Sequence, residues 1–228
     1  MDALQDFYNK KSIGYQRNSI QDPIYQYILQ EIQREHLNIL DVGCSYGDLG
    51  KALQKKSHKV YGIEIADESA QTARQKLTEV IIGNIETINL PWQDGFFDVI
   101  IGADILEHLI SPKDALDKLS RCLKTGGILL VSIPNIAHWR IRWKLLRGKW
   151  DYKKTGILDD GHLRFFTYDS AVNLLEQSGY NVIRSRVKVR LPTWLKMLNK
   201  LWSGVSKVCQ FYFPGLFGYQ FLMVARKK

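Results

Sequence analysis

Residues 39–50 constrain this chain more than any other stretch. Ile39, Leu40 and Val42 form an apolar run that suits a strand covered on both faces. Gly43, Gly47 and Gly50 follow it and lead into a helix-compatible segment. Gly43 lets the backbone turn sharply and approach a ligand with no Cβ in the way. Asp41 sets a carboxylate beside that turn, and the next apolar run, 60–63, ends at a second acid, Glu64. A strand, a glycine turn, a helix and an acid closing the second strand are a common arrangement for holding a ribose, so a nucleoside site is expected here.

The remaining pattern extends this unit into an α/β domain. Strands are expected at 37–42, 59–64, 79–82, 97–102 and 128–133. Helices are expected at 47–57 and 67–77, with a third opened by Ser111 and Pro112 and closed by Gly126 and Gly127. Alternating strands and helices imply a mostly parallel sheet with right-handed crossovers and helices on both faces. Asp22 and Pro23 read as a helix start with apolar Ile24, Tyr27, Ile28 and Ile32 behind it. After Pro134 the pattern loosens. A helix at 135–147, a long loop or lid at 148–163, a helix capped by Thr167 and running to Gly179, and strands at 181–190 and 218–226 are expected.

The glycine spacing narrows the ligand. A dinucleotide fingerprint needs a second glycine two residues after the first, where a pyrophosphate approaches, and this chain has Ser45 there. The run Asp41, Gly43, Gly47 resembles motif I of the class I S-adenosylmethionine-dependent methyltransferases, whose ligand carries a ribose and an adenine but no phosphate. Gly83-Asn84-Ile85-Glu86, Phe97-Asp98-Val99-Ile100, Asp104, Leu106-Glu107-His108-Leu109 and Leu123-Lys124-Thr125-Gly126-Gly127 follow in that family's order.

The resemblance implies a Rossmann-like seven-stranded sheet with an antiparallel last strand, and S-adenosylmethionine as methyl donor. It implies cofactor contacts from Tyr15, Asp41, Gly43, Cys44, Gly47, Glu64, Ile65, Asn84, Ile85 and Asp104. Asn84 stands where family members often carry Asp; its carbonyl oxygen can still accept from an adenine amino group. Three regions follow: 1–36 as a cap over the cofactor, 37–134 as the cofactor-binding core, and 135–228 as a substrate and lid region. Ile133-Pro134-Asn135 and the run from Gly161 to Thr167 resemble methyltransferases of bacterial cell-surface glycans and small molecules, which makes a small-molecule or glycan acceptor the expected partner.

Methyl transfer to a hydroxyl requires that its proton leave. Two histidines are candidate bases. His108 follows Asp104 by one helical turn, and His162 stands beside Asp159 and Asp160, whose carboxylates can orient an imidazole. His108 can equally line the cofactor pocket. Arg164, Asn135 and His162 are candidate acceptor contacts, with Arg164 also able to pair with Asp160. No metal site is expected, because the acids at 159–160 lack the companions of an octahedral magnesium site.

Charge separates the two ends of the chain. Residues 1–176 carry 22 Lys and Arg against 23 Asp and Glu, whereas residues 177–228 carry ten Lys and Arg and no acid. Residues 138–154 mix Trp139, Trp143 and Trp150 with Arg and Lys, and residues 193–213 place Trp194, Leu198, Leu201, Val205, Val208 and Tyr212 at helical spacing. Such stretches suit an anionic membrane surface or a lipid-linked substrate and, less well, nucleic acid; packing against the sheet is the plain alternative. Three scattered cysteines exclude a disulfide framework or zinc ribbon and suit a reducing compartment. No apolar run reaches bilayer length. A cytoplasmic location, peripheral to the inner membrane at most, is expected. An RNA or protein methyltransferase recruited by the basic end, and a catalytically silent binding module, are the rival readings.

Overall fold

The computed structural model describes residues 3–14, 22–189 and 212–228. Its centre is a seven-stranded sheet of β1 (Asn38–Val42), β2 (Lys59–Glu64), β3 (Glu79–Ile82), β4 (Phe97–Ala103), β5 (Leu123–Pro134), β6 (Tyr180–Val189) and β7 (Gly218–Lys227), in the order β3-β2-β1-β4-β5-β7-β6. β1 to β5 pair in parallel, and β7 runs antiparallel between β5 and β6. The expected sheet, with its antiparallel last strand, is present. The strand order reverses where β1 meets β4, which opens a crevice at the carboxyl ends of these strands.

Both faces of the sheet are covered because the central strands are apolar at consecutive positions. On one face Ile39, Val60, Val99, Ile101, Leu130 and Leu222 meet Leu49 and Leu53 of α3 (Asp48–Gln54) and Ala70 and Ala73 of α4 (Asp67–Arg74). On the other, Leu40, Ile100, Leu129 and Met223 meet Ala115, Leu116 and Leu119 of α5 (Pro112–Cys122) and Ala171 and Leu175 of α7 (Tyr168–Gln177). Thr167 and Ser170 cap α7 reciprocally, satisfying amides that the first turn leaves free.

The segment 1–36 divides in two. α2 (Pro23–Glu31) belongs to the core: Ile24, Ile28 and Ile32 are buried with Ile39 and Leu53, and Glu31 pairs with Arg184 and Arg186 of β6. α1 (Ala3–Gly14) lies at the crevice, where Gln5 and Asn9 hold Asp67 at the start of α4. Gly126 and Gly127 do not close α5, which ends at Cys122. Leu123 already pairs with Phe97, and residues 124–127 bulge out before Ile128 pairs with Val99. The helix expected at 135–147 shortens to α6 (Trp139–Leu145), capped by the ring of His138. The four-residue α8 (Pro214–Phe217) leads into β7. The amphipathic stretch at 193–213 falls almost wholly outside the described residues.

Candidate functional site

A cleft opens at the carboxyl ends of β1, β2 and β4, lined by Val42, Gly43, Ser45 and Tyr46 from the first turn, Glu64 to Ala66 from the second, and Gly83 to Glu86 from the third. Asp104, Ile105, His108 and Leu109 form the facing wall, and Tyr8, Lys11 and Tyr25 close it from the N-terminal side.

The first turn owes its shape to three alternate left-handed residues. Gly43, Ser45 and Gly47 have φ of 73°, 48° and 74°. The amides of Gly43 and Cys44 both donate to the carbonyl of Ile63, which ties the turn to β2. A Cβ on Gly43 would collide with Ile105 Cδ1 on the opposite wall, so glycine is needed there for both space and φ. Lys76 fastens the far side through Tyr46 O and Asp48.

Glu64 is buried, and its two oxygens accept the amides of Ser45 and Ala66, each at 2.8 Å. Burial raises its pKa, and these backbone donors oppose that rise. A carboxylate has about four acceptor sites, so Glu64 keeps capacity for ribose hydroxyls beyond its backbone donors. Asp41 sits beneath the turn rather than in the cleft lining; burial, and then the charge of Glu64, push its pKa up to about 7. Cys44 also points inward. Its sulfur fills the space that a Cβ on Gly62 would take, and burial drives its pKa upward. Gly47 packs against Ala73 of α4. Of the remaining expected cofactor contacts, Gly43, Glu64, Ile65, Asn84, Ile85 and Asp104 line the cleft, and Tyr15 lies outside the described residues. Asn84 Oδ1 already accepts the Glu86 amide, leaving its second lone pair and its amide nitrogen for a ligand.

Asp104 is held in a left-handed conformation (φ 56°) by its neighbours on β5 and β7. Ser132 Oγ and Gln220 Nε2 donate to its Oδ1, and its own amide donates to Ser132. Burial raises its pKa while those two side-chain donors lower it. Neither Ser132 nor Gln220 could be linked to Asp104 from spacing, since they come from strands far along the chain.

His108 and His162 are neighbours, with ring centroids 4.8 Å apart. The His108 Nδ1 lies 2.9 Å from the carbonyl of Gly161, and the His162 Nδ1 lies 3.0 Å from the carbonyl of Ile157. A carbonyl only accepts, so each Nδ1 carries the proton and each Nε2 keeps a lone pair. Burial, then the charge of His162, lower the His108 pKa to about 4, and burial lowers that of His162 as well. Both rings are therefore neutral near pH 7. His108 faces the cleft, and His162 stands behind it, 9% exposed.

Asp159 and Asp160 anchor this loop to α1 through Lys11. Arg164 does not pair with Asp160; its guanidinium donates to the carbonyl of Ile110. Asn135 is fully buried away from the cleft, where it donates to Gly215 and Gly218 and accepts from Ala137. One residue in this region escaped the sequence reading. Glu107, 1% exposed, lies beside the two histidines, and neither of its carboxylate oxygens has a hydrogen-bond partner among the described residues.

The methyltransferase domain family model matches residues 14–185. An uncharacterized protein of Methanocaldococcus jannaschii is 24% identical over 79% of this chain and 77% of its own length. A ubiquinone biosynthesis O-methyltransferase of Cereibacter sphaeroides is 25% identical over 71% of this chain and 70% of its own. Among solved structures, a SAM-dependent methyltransferase from Archaeoglobus fulgidus superposes with a TM-score of 0.68 at 15% identity, covering 99% of this chain and all of the other, a likeness of fold.

Proposed function

This chain belongs to the methyltransferase domain family, with S-adenosylmethionine as its cofactor, and from that premise we propose that it methylates a hydroxyl, or else an amine, of a small-molecule or glycan acceptor. When bound, the cofactor supplies a methyl already activated on a sulfonium, so the protein's own work is alignment and proton removal. The cleft suits the cofactor. Glu64 offers its carboxylate to the ribose hydroxyls, Gly43 lets the turn and Ile105 pack together where a Cβ would collide, and Asn84 and Ile85 offer an edge and an apolar surface for adenine.

The observation that carries this reading is the opening of Glu64 and the unprotonated His108 onto one cleft. As the acceptor oxygen bonds to the methyl, its proton passes to the cluster of His108 and His162, the candidate bases. Asp104, clamped by Ser132 and Gln220, keeps the wall between them in register. That the Cereibacter relative is named an O-methyltransferase supports oxygen over nitrogen as the target.

The exposed surface of α6 and the residues that follow it supports an acceptor presented at an anionic or lipid-bearing surface. Trp143, Leu145, Leu146 and Trp150 are exposed, interleaved with Arg140, Arg142, Arg147 and Lys149. No helix among the described residues is long and apolar enough to cross a membrane, so such contact would be peripheral. Isotope-labelled S-adenosylmethionine incubated with glycan, lipid-linked and phenolic acceptors tests the reading. Label should enter at least one hydroxyl acceptor, and His108→Ala should reduce the rate about 100-fold. A protein that binds S-adenosylhomocysteine yet labels no acceptor of any class would overturn it in favour of a silent binding module.

A further inference from the structure

The cluster at Glu107, His108 and His162 holds more than a proton acceptor needs. One ligand-capable atom from each of the three side chains lies within 4.8 Å of the other two, and Glu107 Oε1 is 4.0 Å from His162 Nε2. The backbone holds the parts together: the carbonyl of Glu107 accepts the amides of Leu163 and Arg164, so the turn after β4 and the loop after α6 are stitched at this point.

Two features are hard to account for without a further group. Glu107 is 1% exposed with both carboxylate oxygens lacking a partner. A buried carboxylate in that state is costly, and if protonated its hydroxyl would meet the lone pair of His162 Nε2 only at 4.0 Å, beyond hydrogen-bond reach. The two imidazoles are also oriented alike, each with Nδ1–H on a backbone carbonyl and a lone pair left on Nε2. That is the outer hydrogen bond which fixes a metal-ligating histidine in its tautomer.

We propose that Glu107, His108 and His162 bind one first-row divalent metal ion beside the acceptor end of the cleft. Two imidazole nitrogens and one carboxylate oxygen suit Zn²⁺ or a similar ion, with at least one position left open. Bond lengths of about 2.0–2.2 Å in a tetrahedral site imply ligand atoms about 3.4 Å apart, so side-chain shifts of about 1 Å would close the cluster on the ion. Its role rests on the methyl-transfer reading: with both Nε2 lone pairs on the ion the histidines would no longer be the bases, and the open position would instead take the acceptor oxygen and lower its pKa, so that its proton leaves to water. Its existence does not. The missing magnesium set at Asp159 and Asp160 is no obstacle, because these acids serve Lys11 and the loop instead.

Full-length protein stripped with a chelator and titrated with Zn²⁺ and Co²⁺ tests the site. One equivalent should bind at micromolar concentration or tighter, and the Co²⁺ form should show visible ligand-field absorption without thiolate bands. Glu107→Gln and His162→Ala should each weaken binding at least about tenfold, while His36→Ala, on an exposed ring, should leave it unchanged. Glu107→Gln keeps the side-chain shape, so it decides the matter if His162→Ala misfolds: the ion should raise the melting temperature of the parent protein and not that of this variant. No stoichiometric uptake of either ion, or uptake that Glu107→Gln leaves intact, overturns the proposal. A protein that takes up the ion but transfers no methyl group refutes the proposed activity and keeps the site; a methyltransferase that takes up no ion refutes the site alone.

Discussion

The two walls of the cleft are built on different principles. The wall of Gly43, Ser45, Glu64 and Asn84 comes from three consecutive strand ends, each tied to its neighbour by backbone bonds such as Gly43 and Cys44 to Ile63 and Gly83 to Glu64. The facing wall is assembled over distance. His108 meets Gly161 across 53 residues, and Lys11 meets Asp159 across 148. A wall made of successive βα turns is rigid because the sheet is rigid, whereas one made of a terminal helix and a loop depends on a few polar contacts. The first wall suits a fixed cofactor, and under the proposed function the second meets the acceptor.

The largest break in this comparison should come from the first wall. Gly43→Val would place a β-branched residue at φ 73° and drive its side chain into Ile105. Strain at such positions is about 1–3 kcal/mol, and Ile105 would be pushed toward the cleft. Calorimetry should show S-adenosylhomocysteine affinity reduced about 100-fold or more, with a lower melting temperature.

On the second wall, Lys11→Ala removes the cation from Asp159, whose other oxygen already lacks a partner. A loss of about 1–3 kcal/mol is expected, tempered by the partial exposure of the lysine. Hydrogen exchange should accelerate at residues 157–163, and acceptor turnover should fall more than cofactor affinity. Equal losses in both would mean that the walls are not separable.

The floor of the first wall has its own pH signature. Asp41 titrates near 3.8 in the unfolded chain and at about 7 in the fold. The folded protein therefore holds that proton more tightly, and the group's contribution to stability is complete below pH 4 and lost as pH rises through 7. Asp41→Asn cannot lose it, so its melting temperature should gain a few degrees on the parent protein between pH 4 and pH 8. A constant difference across that range would contradict the burial assigned to Asp41.

The smallest effect belongs to the exposed surface around α6. Trp143→Ser with Leu146→Ser should change stability by no more than about 0.5 kcal/mol, since both side chains are exposed. Flotation with anionic vesicles should nonetheless drop severalfold. Unchanged flotation would remove the lipid-surface reading and leave the rest standing.

The same contrast explains what could be read from the chain. The strand at 79–82 and the acid at 64 were legible because apolar runs and turns are local. The nucleoside site was legible in the same way, with Ser45 turning it from a pyrophosphate loop, and the cofactor followed from the resemblance of Asp41, Gly43 and Gly47 to motif I. The end of α5 was misjudged because two glycines normally stop a helix, whereas here they form a bulge imposed by the pairing of Leu123 with Phe97. The first 36 residues read as one cap, and both of their helices reach the cleft, α1 through Tyr8 and Lys11 and α2 through Tyr25, while the apolar face of α2 is also buried on the sheet. Glu107 was hidden for a different reason. An acid beside a histidine in a short turn reads as solvated, and only the return of residues 157–163 over that turn buries it.

The central claim is that Glu64 anchors S-adenosylmethionine in this cleft. Titration of the parent protein and Glu64→Ala with S-adenosylhomocysteine, at neutral pH and with circular dichroism to verify folding, tests it most directly. The parent should bind at micromolar concentration, and loss of two hydrogen bonds to a carboxylate should weaken binding about 100-fold or more. Absent binding by the parent, or equal affinity in a folded Glu64→Ala variant, would contradict the claim.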